Sequence, residues 1–246
     1  EEYSVVLNQK HDEKIQVIDE FIKDHALLTE LFQDVGFQSE KIKLIDSLNK
    51  KNIQIIKKTK NISDLYESFK QTHKSSIVKK EMEIFVCICI LEKMKELRPE
   101  HLEKVSAALL ICDLLLTEEE YWDSYNLPVK KISQKILNHP LDVVACLPSE
   151  YFPPWAIGLI KNHHEKIDGS GYPYKYDVRN LNIFSTSYII AEDFVSQLLE
   201  NQAKLNSIDT IVSSINKKYR PYLNTYMERS LFCFNECFPS TKSEAA

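Results

Sequence analysis

The chain has 246 residues, of which 43% are hydrophobic and 27% charged, and its formal net charge is −5. This composition is that of a globular protein with one core, or with one core and a small additional domain. An acidic chain lacks the basic surface that nucleic acids require, so we expect no nucleic-acid partner. The longest apolar run, residues 84–94, is interrupted by Glu92 and is too short for a membrane span.

Residue usage along the chain favours helix. Only four glycines and nine prolines occur, while leucine, isoleucine, lysine and glutamate are abundant. The six cysteines form no CxxC pair, so we expect buried, reduced thiols and a cytoplasmic location. The composition therefore predicts a mainly α fold.

Residues 1–75 are predicted to form a small N-terminal domain, either helical or α/β. Residues 3–7 have the character of a strand, whereas the apolar positions of residues 12–35 keep helical spacing. A further helix is predicted over residues 61–69, and the polar segment 71–76 indicates a boundary near residue 75. No residue of this domain indicates a particular chemistry.

Residues 76–240 are predicted to form a helical domain. Thr117, followed three residues later by Glu120, has the pattern of a capping box. Prolines mark other helix starts, because a proline is tolerated in the first turn. The predicted helices, in chain order, cover residues 77–97 (ended by Arg98-Pro99), 102–116, and segments beginning at Thr117, Pro128, Pro140 and Pro154, followed by 182–201, 207–218 and 221–237.

Residues 162–173 read NHHEKIDGSGYP and contain two of the four glycines. His163 and His164 follow a predicted helix and project about 100° apart, so both reach one centre only if it lies beside the helix end. Gly169 and Gly171 allow a tight turn there. Imidazoles with nearby carboxylates suit iron, manganese or zinc. The stretch therefore predicts a metal site beside a fixed turn, with a solvated histidine pair as the alternative.

The string HHExxDGxGYP resembles the signature of the HD-GYP family, a branch of the HD metal-dependent phosphohydrolases, and the resemblance covers residues 77–238. Where the family has an apolar helix ending in His-Asp, this chain has AALLICD, with Cys112 and Asp113. The NHP sequence supplies His139, and IIAEDFVSQL aligns Asp193 with a family aspartate. The resemblance implies an HD-type helical bundle with these metal ligands: Asp113, His139, His163, His164 and Asp193.

The family cleaves cyclic di-GMP at two or three metal ions, commonly iron, and this chain departs from its pattern in several places. Lys80 and Ser76 fall near the family's early histidine and glutamate, and residues 114–116 are leucines where a Gly-Lys pair is expected. The resemblance implies one complete metal position, and broken neighbours where only Asp193 and Cys112 remain as partial ligands. Cys112 is alternatively a small buried residue at a helix end. We expect one divalent ion (iron, manganese or zinc) or none.

Two functions are compatible with these departures, and the sequence assigns no catalytic residue. The first is a degenerate HD-GYP protein of bacterial cyclic di-GMP-type signalling, inactive or weakly active, which acts as a sensor or interaction module. Each lost charge-assisted contact costs about 1.5–3 kcal/mol, so binding of a cyclic dinucleotide is weakened. The second is a metal-dependent phosphodiesterase or phosphohydrolase with a reduced, mononuclear site.

The turn is the predicted docking surface for a protein partner. Its residues are Asp168, Gly169, Gly171, Tyr172 and Pro173. Tyr172 is interpreted either as a docking residue or as part of the packing of the turn. Glu165 and Asp168 are predicted to organise the turn rather than to act as general bases.

Overall fold

A computed structural model of the protein describes residues 74–95, 97–147, 152–201 and 208–239. These residues form eight α-helices and two short 3₁₀ turns, with no strand among them, which confirms the mainly α prediction for this part of the chain. Residues 1–73 of the predicted N-terminal domain, with its strand at residues 3–7 and its helices at 12–35 and 61–69, lie outside the described residues, whereas residues 74 and 75 begin the first helix. The helices are α1 (Lys74–Glu92), α2 (Pro99–Ile111), α3 (Glu118–Asn126), α4 (Gln134–Ala145), α5 (Pro154–Asn162), α6 (Ile183–Glu200), α7 (Ile208–Tyr219) and α8 (Thr225–Cys237), and the 3₁₀ turns are Val129–Lys131 and Arg220–Tyr222.

Local signals place several helix starts correctly. The Thr117 hydroxyl accepts a hydrogen bond from the Glu120 amide at 3.2 Å, and the Glu120 carboxylate accepts one from the Thr117 amide at 2.9 Å. This confirms the predicted capping box. Pro154 is the first residue of α5, as predicted, and Pro99 opens α2 three residues earlier than expected. α1 ends at Glu92, so its predicted extension to residue 97 is wrong.

Pro140 does not begin a helix, as the sequence suggested, but lies inside α4. The helix starts after Ser133, whose hydroxyl accepts a hydrogen bond from the Ile136 amide at 3.3 Å. A proline has no N–H for the carbonyl four residues earlier, which here belongs to Ile136. The imidazole of His139 bonds that carbonyl instead, with Nδ1 2.6 Å from the oxygen. Similarly, Pro128 precedes a 3₁₀ turn rather than an α-helix.

α1 and α6 form the centre of the bundle. α1 packs against α2, α3, α6 and α8, and α6 also packs against α5, α7 and α8. Every residue from 82 to 91 in α1 is buried, because a helix that is apolar on all faces must be surrounded by others. Within the described residues, no helix combines the length and apolar character needed to cross a membrane.

The cysteines form no disulfide, as expected of free thiols, although Cys146 is exposed.

The core also contains charged and polar side chains, which are concentrated in one region. α2 packs on α5 and α5 packs on α4, so the ends of α2 and α5 meet the middle of α4. The buried ionisable side chains of this region include Lys79, Lys80, Glu83, Asp113, His139, His163, His164 and Glu165.

Candidate metal centre

The fold brings four of the five predicted metal ligands together. Asp113 follows the C-terminal end of α2, His139 lies within α4, and His163 and His164 follow α5. One ligand atom from each residue lies within 4.8 Å of the others, and all four residues are buried. The group is therefore able to hold a metal ion.

One oxygen of Asp113 is the point on which the three imidazoles converge. The Nε2 atoms of His139 and His163 are each 3.1 Å from Asp113 Oδ1 and 3.2 Å from each other. The Nε2 atom of His164 is 3.5 Å from the same oxygen. Three nitrogens and one oxygen thus face a common point.

Backbone carbonyls determine which ring nitrogen carries the proton. Nδ1 of His139 is 2.6 Å from Ile136 O, and Nδ1 of His163 is 2.6 Å from Ile160 O. A carbonyl can only accept, so each Nδ1 donates, and each neutral ring presents an unprotonated Nε2 to the centre. Both carbonyls can accept these bonds. Pro140 has no N–H to donate to Ile136 O, and Ile160 O lies in the last turn of α5, where carbonyls lack helical partners.

This arrangement of acceptors fits a bound cation. The Nε2 atoms of His139 and His163 and a carboxylate oxygen lie within 3.2 Å of one another, and in the neutral form of both rings these three acceptors would repel unless positive charge lies among them. Among the described residues, the buried Nε2 atom of His164 has no hydrogen-bond partner, which is costly unless a ligand satisfies it. Three imidazoles and one carboxylate are a donor set that suits a divalent transition metal.

Burial and neighbouring charges hold the ligands in the forms that bind metal. Burial lowers the pKa of His163 and lowers that of His164 well below its usual value, so both rings are neutral at pH 7. Burial alone would raise the pKa of Asp113, but the Lys80 ammonium and the neighbouring histidines hold it well below its usual value. Neutral imidazoles and an ionised carboxylate are the forms that metal binding requires.

Lys80 is the functional residue that the sequence interpretation missed. Its ammonium lies 3.0 Å from Asp113 Oδ2, the oxygen that faces away from the imidazoles. The Lys80 side chain is only 5% exposed, so this is an internal ion pair. The available signal was that Lys80 falls near the position of a metal-binding histidine in the HD-GYP pattern.

Asp193 lies outside this group, and the resemblance gave it only as a partial ligand of the neighbouring, broken metal position. Its carboxylate accepts hydrogen bonds from Lys218 Nζ at 2.9 Å and from Tyr219 OH at 3.0 Å. Both donors lie on α7, so the packing of α7 against α6 directs Asp193 toward these partners.

Cys112 is a small buried residue at the end of α2, which confirms the second of its two interpretations. Burial raises the pKa of its thiol well above the usual value, and the negative charge of Asp113 acts in the same direction. The protonated thiol lies 3.3 Å from Leu109 O, to which it donates.

The turn after the histidines depends on two glycines. Gly169 has φ of +77°, a conformation that favours glycine. At Gly171, a Cβ atom would lie 2.4 Å from Lys166 N and 2.5 Å from both His164 O and Glu165 Cα. The chain therefore returns directly onto the segment that carries the metal-ligand histidine His164.

Two carboxylates organise this turn, as the sequence predicted. Glu165 accepts hydrogen bonds from the amides of Tyr174 at 2.6 Å and Tyr176 at 2.9 Å. Asp168 accepts from the amide of Ser170 at 3.0 Å, an Asx-type contact. Both acidic groups are thereby engaged in the structure of the loop.

Tyr172 belongs to the packing of the turn, which is the second of its two interpretations. The residue is 4% exposed, and its ring stacks on that of His164 with centroids 4.7 Å apart. The following Pro173 is half-buried, after a cis peptide bond. The exposed side chains of the loop are instead those of Lys166, Asp168, Ser170, Tyr174 and Lys175.

Comparison with protein-family models, with curated proteins and with solved structures finds no match to this chain. Membership of the HD-GYP family stays a prediction, carried by the residues of the signature and by the site that they form.

Alanine substitutions at Gly158 and Gly171 should change the free energy of unfolding in opposite directions. Gly171→Ala should lower the free energy of unfolding by about 1–3 kcal/mol, because its Cβ meets backbone atoms. Gly158→Ala is the matched control: its Cβ meets only Asn182 Nδ2 at 3.9 Å, and alanine favours the helix by up to about 1 kcal/mol. Urea unfolding of both variants measures the difference, and equal stabilities would contradict the close approach at Gly171.

Pro140→Ala should weaken metal binding while leaving α4 intact. An alanine amide competes with His139 Nδ1 for the Ile136 carbonyl, and loss of such an outer contact typically costs about tenfold or more in metal affinity. Chelator competition measures the affinity, and circular dichroism reports the helix. Asn138→Ala, at an exposed position of the same helix, serves as the control and should bind as tightly as the wild type. Unchanged affinity in Pro140→Ala would refute the role of the freed carbonyl.

Metal-free protein should lose stability as the pH falls below about 6.5, the usual histidine value. The pKa values of His163 and His164 are lowered in the folded state, so below pH 6.5 the unfolded chain binds protons that the folded chain does not. Each histidine then contributes a slope of up to about 1.4 kcal/mol per pH unit. Melting temperatures from pH 8 to pH 5 in a chelator test this, and His164→Gln should give a shallower dependence. Parallel curves for the two proteins would count against the prediction.

Proposed function

We propose that this chain carries a degenerate HD-GYP domain whose centre holds one divalent ion of iron, manganese or zinc. It acts as a sensor or interaction module in bacterial cyclic di-GMP-type signalling, and not as an efficient phosphodiesterase. The observation that carries the proposal is the shared carboxylate of Asp113. Its Oδ1 faces three imidazoles, while its Oδ2 is held by Lys80.

Four protein groups would hold the ion: Asp113, His139, His163 and His164. When bound, such an ion acts as a Lewis acid and lowers the pKa of coordinated water. The chain itself surrounds this position closely, since all four ligands are buried and the Tyr172 ring covers His164. Closed sites of four protein ligands are typical of structural metals, whereas catalytic sites keep an open position.

The surroundings of the centre also disfavour binding of a dianionic phosphodiester. After Asp113 the chain continues with leucines, and Leu114 and Leu116 are buried. They provide no cation for a phosphate, in contrast to the Gly-Lys pair of the HD-GYP pattern. Lys80, a cation in contact with Asp113, is an internal group already paired with carboxylates. Each missing charge-assisted contact weakens phosphate binding by about 1.5–3 kcal/mol.

The turn connects the centre to the protein surface, which supports a sensing or docking role. The Tyr172 ring stacks on His164, and the Tyr172 amide donates to His164 O at 3.2 Å. Directly beyond it, Ser170 and Tyr174 are exposed, and Glu165 holds the loop through its backbone amides. An ion bound to His164 would therefore stabilise the loop that a protein partner meets.

A second candidate is a phosphohydrolase with a mononuclear site, which the donor set itself favours. Three imidazoles and one carboxylate would also suit iron or manganese, and such an ion would supply a bound water of lowered pKa. A hydrolase function requires that the protein turn over a phosphoester and that this activity be lost in the Asp113→Ala variant.

Metal content tests the proposal first. Protein purified without added metal under low oxygen should contain about one iron, manganese or zinc per chain by mass spectrometry, and His139→Ala should lose it. His101→Ala is the matched control, since His101 packs against Trp155, away from the cluster, and should retain the metal. A folded wild-type protein without metal would refute the centre.

An activity screen then separates the two functions. Metal-loaded protein is assayed with cyclic dinucleotides, linear dinucleotides and simple phosphoesters. The proposed function predicts no turnover above that of Asp113→Ala. Turnover that is lost in this variant would replace the proposal by the hydrolase.

A further inference from the structure

The Lys80 ammonium lies in a shell of four oxygen atoms. Its Nζ is 2.6 Å from Tyr188 OH, 3.0 Å from Glu83 Oε2, 3.0 Å from Asp113 Oδ2 and 3.1 Å from Tyr125 OH. A lysine ammonium has three N–H groups, so it cannot donate a full hydrogen bond to all four oxygens at once. Two carboxylates and two hydroxyls around one point are oxygen donors of the kind that hard divalent cations such as Mn²⁺ prefer.

The charges of this shell are balanced within the core. Lys79 and Lys80 provide two positive charges, and Glu83 and Asp113 provide two negative ones, all on residues that are at most 4% exposed. Loss of one ammonium would leave an uncompensated negative charge in the interior, which is strongly unfavourable. Another cation in the same place would again supply positive charge beside the two carboxylates.

The shell adjoins the metal centre through a single shared group. Asp113 directs Oδ1 to the imidazoles and Oδ2 to Lys80 Nζ, so its two oxygens face two separate cation positions. The Lys79 ammonium differs: it pairs with Glu83 Oε1 and lies 3.7 Å from the centre of the Tyr125 ring. Between Lys79 and Lys80, it is Lys80 that contacts the shared carboxylate.

We infer that the Lys80 ammonium occupies a second cation position next to the metal centre and thereby limits the centre to one ion. The inference rests on the proposed function, because it requires the first metal position. Removal of the Lys80 charge should open the shell to a divalent ion bound by Asp113 Oδ2 and Glu83. Lys80 then determines how many metal ions this protein binds.

The test is the binding stoichiometry of Mn²⁺, measured by titration calorimetry and electron paramagnetic resonance on the metal-free full chain. Wild-type protein should bind one Mn²⁺ with the signal of an isolated ion. Lys80→Met, which keeps the length of the side chain and removes its charge, should bind two. The two ions should be spin-coupled, because Asp113 would bridge them. Lys80→Gln, which keeps a polar group, should also bind two.

Lys79→Met is the matched control, because it removes an equivalent buried charge that does not contact Asp113. It should still bind one Mn²⁺, and a second ion there would overturn the inference by showing that charge alone decides. One ion in folded Lys80→Met and Lys80→Gln would overturn it too, while leaving the proposed function intact. No ion in the wild type would refute the metal centre itself.

Folding of the variants gives a second readout. If the Lys80 variants unfold without metal, Mn²⁺ should restore their helical circular dichroism, because the ion replaces the missing charge. Variants that stay unfolded at saturating Mn²⁺ would contradict the inference as well.

Discussion

The shared carboxylate of Asp113 holds the centre of this domain together. Its Oδ1 is 3.1 Å from two imidazole nitrogens, and its Oδ2 is 3.0 Å from the Lys80 ammonium. Burial by itself would protonate such a group, and the positive charge of Lys80 keeps it ionised. In the metal-free centre, a lysine of another helix therefore keeps this carboxylate in the ionised form that metal binding requires.

The backbone orients the imidazoles around this carboxylate. Pro140 frees the Ile136 carbonyl for His139, and the C-terminal turn of α5 leaves the Ile160 carbonyl for His163. Each ring thereby keeps its proton on Nδ1 and directs Nε2 inward. These contacts with backbone carbonyls fix the tautomers and the ring orientations, and outer contacts of this kind contribute substantially to metal affinity.

Features that depend on near neighbours in the chain were predictable. The capping box at Thr117, the start of α5 at Pro154 and the Asx-type contact of Asp168 follow from residues within a few positions. The helix start assigned at Pro140 was wrong. A proline inside a helix leaves one carbonyl without its backbone hydrogen bond, and here the His139 ring bonds that carbonyl instead. Local helix propensities do not include such a side-chain contact. The end of α1 was placed too late, because apolar residues continue to residue 97 whereas the helix ends at Glu92.

By itself, the sequence determined that the chain is mainly helical from α1 onward, and which four side chains form the cluster of Asp113 and the three histidines. The tertiary structure alone decided the surroundings of those groups. The packing of α1 put Lys80 beside Asp113, and that of α7 turned Asp193 toward Lys218. The return of the turn buried Tyr172. The reason is physical: helix formation and tight turns are set by local backbone preferences, whereas the charge and exposure of a side chain are set by residues that are distant in the chain.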